Sequence, residues 1–228
     1  MTLLGESVIA RMQSLIDQWE PIPDQRALFL TCYRMMTSNM LTMLEQRQFL
    51  DTEWVDRLLH RFAEHYFTAL EAYEQDPLTA PPVWQLAHNA ARDPDVLALQ
   101  KLLVGVNAHI NFDLVLTVVE LLQGEWQDLS EDQRSGRYAD YCHVNEVIGQ
   151  TIDAVQDQVL EPHMPVMDFF DRFLGSFDEY LISSLINYWR ERVWRNATLL
   201  LEARDPGEQA RLVQQVEQDA LKLGNLII

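Results

Sequence analysis

The sequence predicts an all-α, single-domain bundle of about eight or nine helices around one buried central helix. Three observations carry that expectation. Apolar residues recur every three or four positions along almost the whole chain, the spacing of a helix face. No stretch alternates apolar and polar residues for long enough to make a strand. Leu102 to Leu122 is apolar on nearly every side, as a helix surrounded by other helices must be. With 228 residues the chain can bury a substantial core, and no repeat or composition shift divides it, so residues 1–228 read as one domain.

Leu3, Leu4, Val8, Ile9, Met12, Leu15, Ile16 and Trp19 mark a first helix, stopped by Pro21 and Pro23. A second runs from Asp24 through Leu28, Leu30, Tyr33, Met36, Met40, Leu41 and Leu44. Its Met35, Met36, Met40 and Met43 read as flexible fillers of core gaps. Asp51 or Thr52 caps a third, with Trp54, Leu58, Leu59, Phe62, Tyr66, Phe67, Leu70 and Tyr73 on its buried stripe. After Pro77, Pro81 and Pro82, Val83 to Arg92 forms a short helix containing Trp84 and His88. Asp93-Pro94 is the expected start of the central helix, about residues 94–122, with Gly105 as a place where it could break.

Gly124 to Arg137 is acidic and polar and reads as the longest loop. Helical order resumes from Tyr138 to Leu160, where Asn145, Gly149, Asp153 and Asp157 recur every four residues beside the apolar stripe. Pro162 and Pro165 lead into a helix with Met167, Phe169, Phe170, Phe173 and Leu174, broken at Gly175. A long helix over Phe177 to Glu202 and a last one from Glu208 complete the chain.

Asn107, His109, Asn111 and Asp113 lie together near the middle of the central segment. In a bilayer each would meet hydrocarbon unpaired, so no membrane span is expected. A formal charge of −18 opposes a phosphate backbone and argues against nucleic acid as a partner. Two cysteines, Cys32 and Cys142, in apolar helical patterns and an N-terminus without a basic, cleavable leader point to a cytoplasmic protein with reduced thiols. A homo-oligomer is left open.

At about 100° per residue, Asn107 and Asn111 share one helix face and His109 and Asp113 another. Histidine and aspartate four apart can bind one divalent metal together. Alternatively the carboxyl holds one ring nitrogen and fixes the tautomer of the other for acid–base work. In either case the asparagines would position a substrate, with Asn145 reaching inward from its own helix. No phosphate loop, nucleophile elbow, Cys-x-x-Cys or His-Glu-x-x-His competes with this cluster, and no pair of Glu-x-x-His motifs supports a di-iron site.

Several segments resemble an uncharacterised bacterial family, DUF5995: Leu102-Leu-Val-Gly-Val-Asn107-Ala-His109-Ile-Asn111-Phe-Asp113-Leu, Tyr138-Ala-Asp-Tyr141-Cys-His-Val144-Asn145, Asp171-Arg-Phe-Leu-Gly175-Ser-Phe-Asp178, and Arg190 with Trp194. Ile22-Pro-Asp24, Phe29, Tyr33 and Trp84 fit the same pattern. The resemblance covers most of the chain, supports the helical fold and the polar cluster as its site, and brings Arg190 into the positioning set. It names no reaction. His109-x-x-x-Asp113 is also similar to a metal-binding fragment of zinc-dependent phospholipase C, whose second histidine cluster has no counterpart here.

Two functions follow from these residues. In one, the protein is a helical enzyme, metal-dependent or metal-free, acting on a small or lipid-like molecule. His109 is then ligand or base, and Asp113 is its co-ligand or orienter. In the other, the four polar residues close a hydrogen-bond network in a non-catalytic binding or scaffold protein.

Overall fold

The computed structural model describes residues 3–22, 24–155 and 177–228. Among them every regular element is helical: α1 (Leu3–Trp19), α2 (Arg26–Glu45), α3 (Thr52–Gln75), α4 (Pro82–Arg92), α5 (Ala98–Leu122), α6 (Glu131–Val155), α7 (Phe177–Leu201) and α8 (Pro206–Ile227), with one 3-10 turn at Pro77–Thr79. The helix expected around Met167 to Leu174, and with it Asp157, lies outside the described residues.

The apolar stripes meet in one core, whose largest fully buried side chains include Trp54, Trp84, Tyr66 and Tyr141. α5 occupies its centre and touches α2, α3, α4, α7 and α8, which is why it tolerates an apolar surface on almost every side. It is long and apolar enough to cross a membrane, and here it is largely buried by the other helices.

Two boundaries differ from the sequence expectation, and the continuous form of the central helix is the one adopted. Asp93 does not cap α5. Its carboxylate accepts the Asp95 N–H at 2.9 Å in a turn, and the helix begins at Ala98 with Gln100 Oε1 accepting the Leu97 N–H at 3.1 Å. The loop expected to reach Arg137 ends at Ser130. There the Ser130 hydroxyl accepts the Gln133 N–H (3.3 Å) and Gln133 Oε1 accepts the Ser130 N–H (2.9 Å), a reciprocal cap that starts α6 seven residues earlier than its apolar stripe. Gly105 does not break α5; a Cβ there would lie 2.9 Å from ring carbons of Phe29, so the glycine lets α2 approach closely. Asp51 does cap α3, accepting the Trp54 N–H at 2.9 Å.

Candidate functional site

α5 is not uniform. Its first part, Ala98–Ala108, and its last, Leu114–Leu122, are α-helical, but His109–Asp113 forms a π turn in which the Leu114 N–H bonds to the His109 carbonyl. Such single wide turns concentrate at functional sites. Here the turn begins and ends on the residue pair that the sequence singles out.

His109 and Asp113 are 3% and 2% exposed. His109 Nδ1 and Asp113 Oδ2 are 3.0 Å apart, and the Trp84 indole N–H, from α4, donates to both carboxyl oxygens at 3.1 and 3.0 Å. The imidazole lies flat on Phe62 of α3, with ring centroids 3.6 Å apart and 7° between planes, and meets Tyr33 of α2 edge-on at 4.3 Å. Phe29, Tyr66 and Trp84 complete an aromatic surround at 5.7 to 6.1 Å.

This setting decides the protonation of the pair. Burial pushes the His109 pKa well below its usual value, so the ring is neutral. Burial also pushes Asp113 well above the usual carboxylate range, against the opposing pull of the Trp84 N–H, so the carboxyl keeps its proton. Asp113 Oδ2–H therefore donates to Nδ1, the ring hydrogen sits on Nε2, and Nε2 is buried with no hydrogen-bond partner.

A cavity of about 200 Å³ opens beside the imidazole, walled by α2, α3, α5, α6 and α7. Its lining is mostly aliphatic and aromatic and includes Met36 and Met40. The polar members are Cys32, Tyr33, Thr37, His109, Thr151 and Arg190. The two threonine hydroxyls donate back to the Tyr33 and Val147 carbonyls at 2.8 and 2.7 Å. Burial keeps Tyr33 protonated and pushes the Cys32 thiol up to about 12. Cys32 and Cys142 are both free.

The remaining expected site residues divide in two. Asn107 and Asn111 do not line the cavity. Asn111 Nδ2 donates to Asn107 Oδ1 at 3.1 Å, and Asn107 Nδ2 donates to the Ala220 carbonyl of α8 at 2.8 Å. They clip α5 to α8 at Gly224, where a Cβ would lie 3.3 Å from Asn107 Nδ2 and 2.7 Å from Leu86 Cδ2. Asn145 does not meet the His109 cluster either; its Oδ1 accepts from Arg190 Nε at 2.6 Å and holds the guanidinium at the cavity wall.

A family model matches residues 6–228, nearly the whole chain. The chain belongs to DUF5995, a family of unknown function. No curated protein and no solved structure matches it. The resemblance drawn from the polar core of α5 is thereby confirmed, and the chemistry must be read from the DUF5995 chain itself.

Metal binding finds little to build on. Among the described residues no three His, Cys, Asp or Glu side chains converge, and the dyad alone supplies two ligands where a zinc centre takes three or four from protein. Both Asp113 oxygens are already engaged by Trp84 and His109. Sequence reading missed three members of the site: Trp84 and Tyr33, which had a signal only in the family pattern, and Phe62, which read as an ordinary core position.

Proposed function

We propose that this DUF5995 chain takes a small apolar or lipid-like molecule into the cavity and acts on an oxygen of that molecule through His109, without a metal. The observation that carries this reading is His109 Nε2: a buried donor with no partner, on the wall of a mostly apolar cavity. An unmade hydrogen bond at such depth costs about 1–3 kcal/mol, which a ligand carbonyl or hydroxyl oxygen would recover.

The dyad can do more than bind. When Nε2–H passes its proton to a ligand oxygen, Asp113 Oδ2–H can pass its own to Nδ1, leaving a neutral ring and a carboxylate still bonded by the Trp84 N–H. The proton delivered to the ligand is thus replaced from a carboxylic acid whose pKa burial has raised, the arrangement of a general acid. The scaffold reading fits the other half of the cluster, because Asn107 and Asn111 hydrogen-bond to each other and to α8 and do not line the cavity.

The test uses 2-decanone carrying ¹³C at its carbonyl. Its C=O stretch, followed by infrared difference spectroscopy, should lie at lower frequency in the wild-type complex than in the complex with His109→Phe, which keeps the stack on Phe62 and removes Nε2. A bound ketone whose carbonyl absorbs at the same frequency in both proteins overturns the role given to His109.

A further inference from the structure

Two arginines are buried among the described residues, and they are treated differently. Arg26 has the carboxylates of Asp24 at 2.6 Å and Glu74 at 3.2 Å. Arg190, only 4% exposed, has no acidic partner among the described residues, in a chain with 35 Asp and Glu against 17 Lys and Arg. Its Nε donates to Asn145 Oδ1 and its Nη2 to the Tyr141 carbonyl, both at 2.6 Å, and the guanidinium carbon lies 4.2 Å above the Tyr141 ring. These are neutral acceptors that orient the group, and no carboxylate among the described residues compensates its charge. A guanidinium stays protonated in proteins, so burying it without a counter-charge is strongly unfavourable.

Arg190 also lines the same cavity as His109. With Nε and one Nη2 proton engaged, the outer edge of the guanidinium keeps both Nη1 protons and the second Nη2 proton, the pair of parallel donors that a carboxylate matches. We infer that the natural ligand is an apolar carboxylic acid whose carboxylate pairs with Arg190 while its hydrocarbon part fills the cavity toward His109. Asn145 and Tyr141 act as positioning residues for the guanidinium. This rests on the reading of the cavity as a ligand site, and it adds the charge of the ligand and the end at which that charge is read.

The experiment displaces the neutral fluorophore N-phenyl-1-naphthylamine from the full chain with decanoate or 1-decanol at pH 7.5. Wild type should prefer decanoate by roughly tenfold or more, equivalent to ~1.4 kcal/mol. Arg190→Met should lose that preference, and Arg190→Lys should restore part of it. Equal affinities for decanoate and decanol in wild type, a measurement that needs no variant to fold, overturn the proposal while leaving the cavity as a ligand site. A decanoate preference that survives in Arg190→Met also overturns it. If the fluorophore fails to bind, or neither compound displaces it, the cavity reading itself fails.

Discussion

Replacing Asp113 with asparagine separates the two protonation states of the dyad. In the fold the carboxylic acid donates from Oδ2 to His109 Nδ1 and accepts the Trp84 indole N–H. An asparagine of the same size can do both, donating from Nδ2 and accepting at Oδ1, but it cannot ionise. Burial raises the Asp113 pKa in the folded chain above its unfolded value of about 3.9. At any pH between the two values the folded chain holds a proton that the unfolded chain has released. Wild-type stability is therefore fully present below the unfolded value and falls as pH rises, by about 1.4 kcal/mol per pH unit, through the folded value. His109 is neutral in both folded proteins; its own contribution, lost as pH falls below about 6.5, cancels in the comparison. Between pH 5 and pH 7 Asp113→Asn should thus gain on wild type by up to about 3 kcal/mol, measured by urea unfolding at pH 5, 6 and 7. A difference that stays flat over this range would show that Asp113 ionises in the fold as it does in the unfolded chain. Nε2 would then be a bare acceptor, and the proton relay would fail.

Two further outcomes follow from the packing around the site. Gly105→Ala should gain about 1 kcal/mol from helix propensity, yet lose about 1–3 kcal/mol because its Cβ meets Phe29, itself packed against Tyr33, Tyr66, Trp84 and His109. A melting temperature lower by ~2–4 °C is expected, and a rise would show that Phe29 can move aside. His88 is held at about 3 by burial and then by the Arg26 guanidinium, so its ring-proton NMR shifts should not titrate between pH 8 and pH 5. Its contribution to stability is present above about 6.5 and is lost as pH falls from there toward 3, and a mid-range titration would mean that the Trp84–His88 stack opens to water.

What the sequence made legible was whatever depends on residues close together in the chain. Helical spacing separated His109–Asp113 from Asn107–Asn111, and each pair does form its own hydrogen bond. The Asp51 cap was visible for the same reason. Trp84 lies 29 positions before Asp113, and nothing in spacing says that its indole N–H finds that carboxyl. The cavity was illegible because leucine, valine and methionine look alike whether they touch a neighbour or face an unfilled volume. The reciprocal cap at Ser130 was obscured by the acidic residues around it, which read as loop. Arg190 entered only through the family pattern, since its partner Asn145 is 45 residues away.

The π turn has a consequence for how α5 can be altered. It holds one residue more than an α turn, so Ala98–Ala108 and Leu114–Leu122 are out of phase by roughly 100°. A single helical wheel drawn over residues 98–122 merges two different faces, and each segment has its own inner side. Deleting one residue between His109 and Asp113 would close the wide turn into an ordinary α turn, with the Leu114 N–H still bonded to the His109 carbonyl, and the second segment would keep its place. Val115 and Val118, now fully buried, would keep their partners, while the His109–Asp113 pair would lose its spacing. The extra residue thus serves the dyad, and the packing of the second half of the central helix does not depend on it.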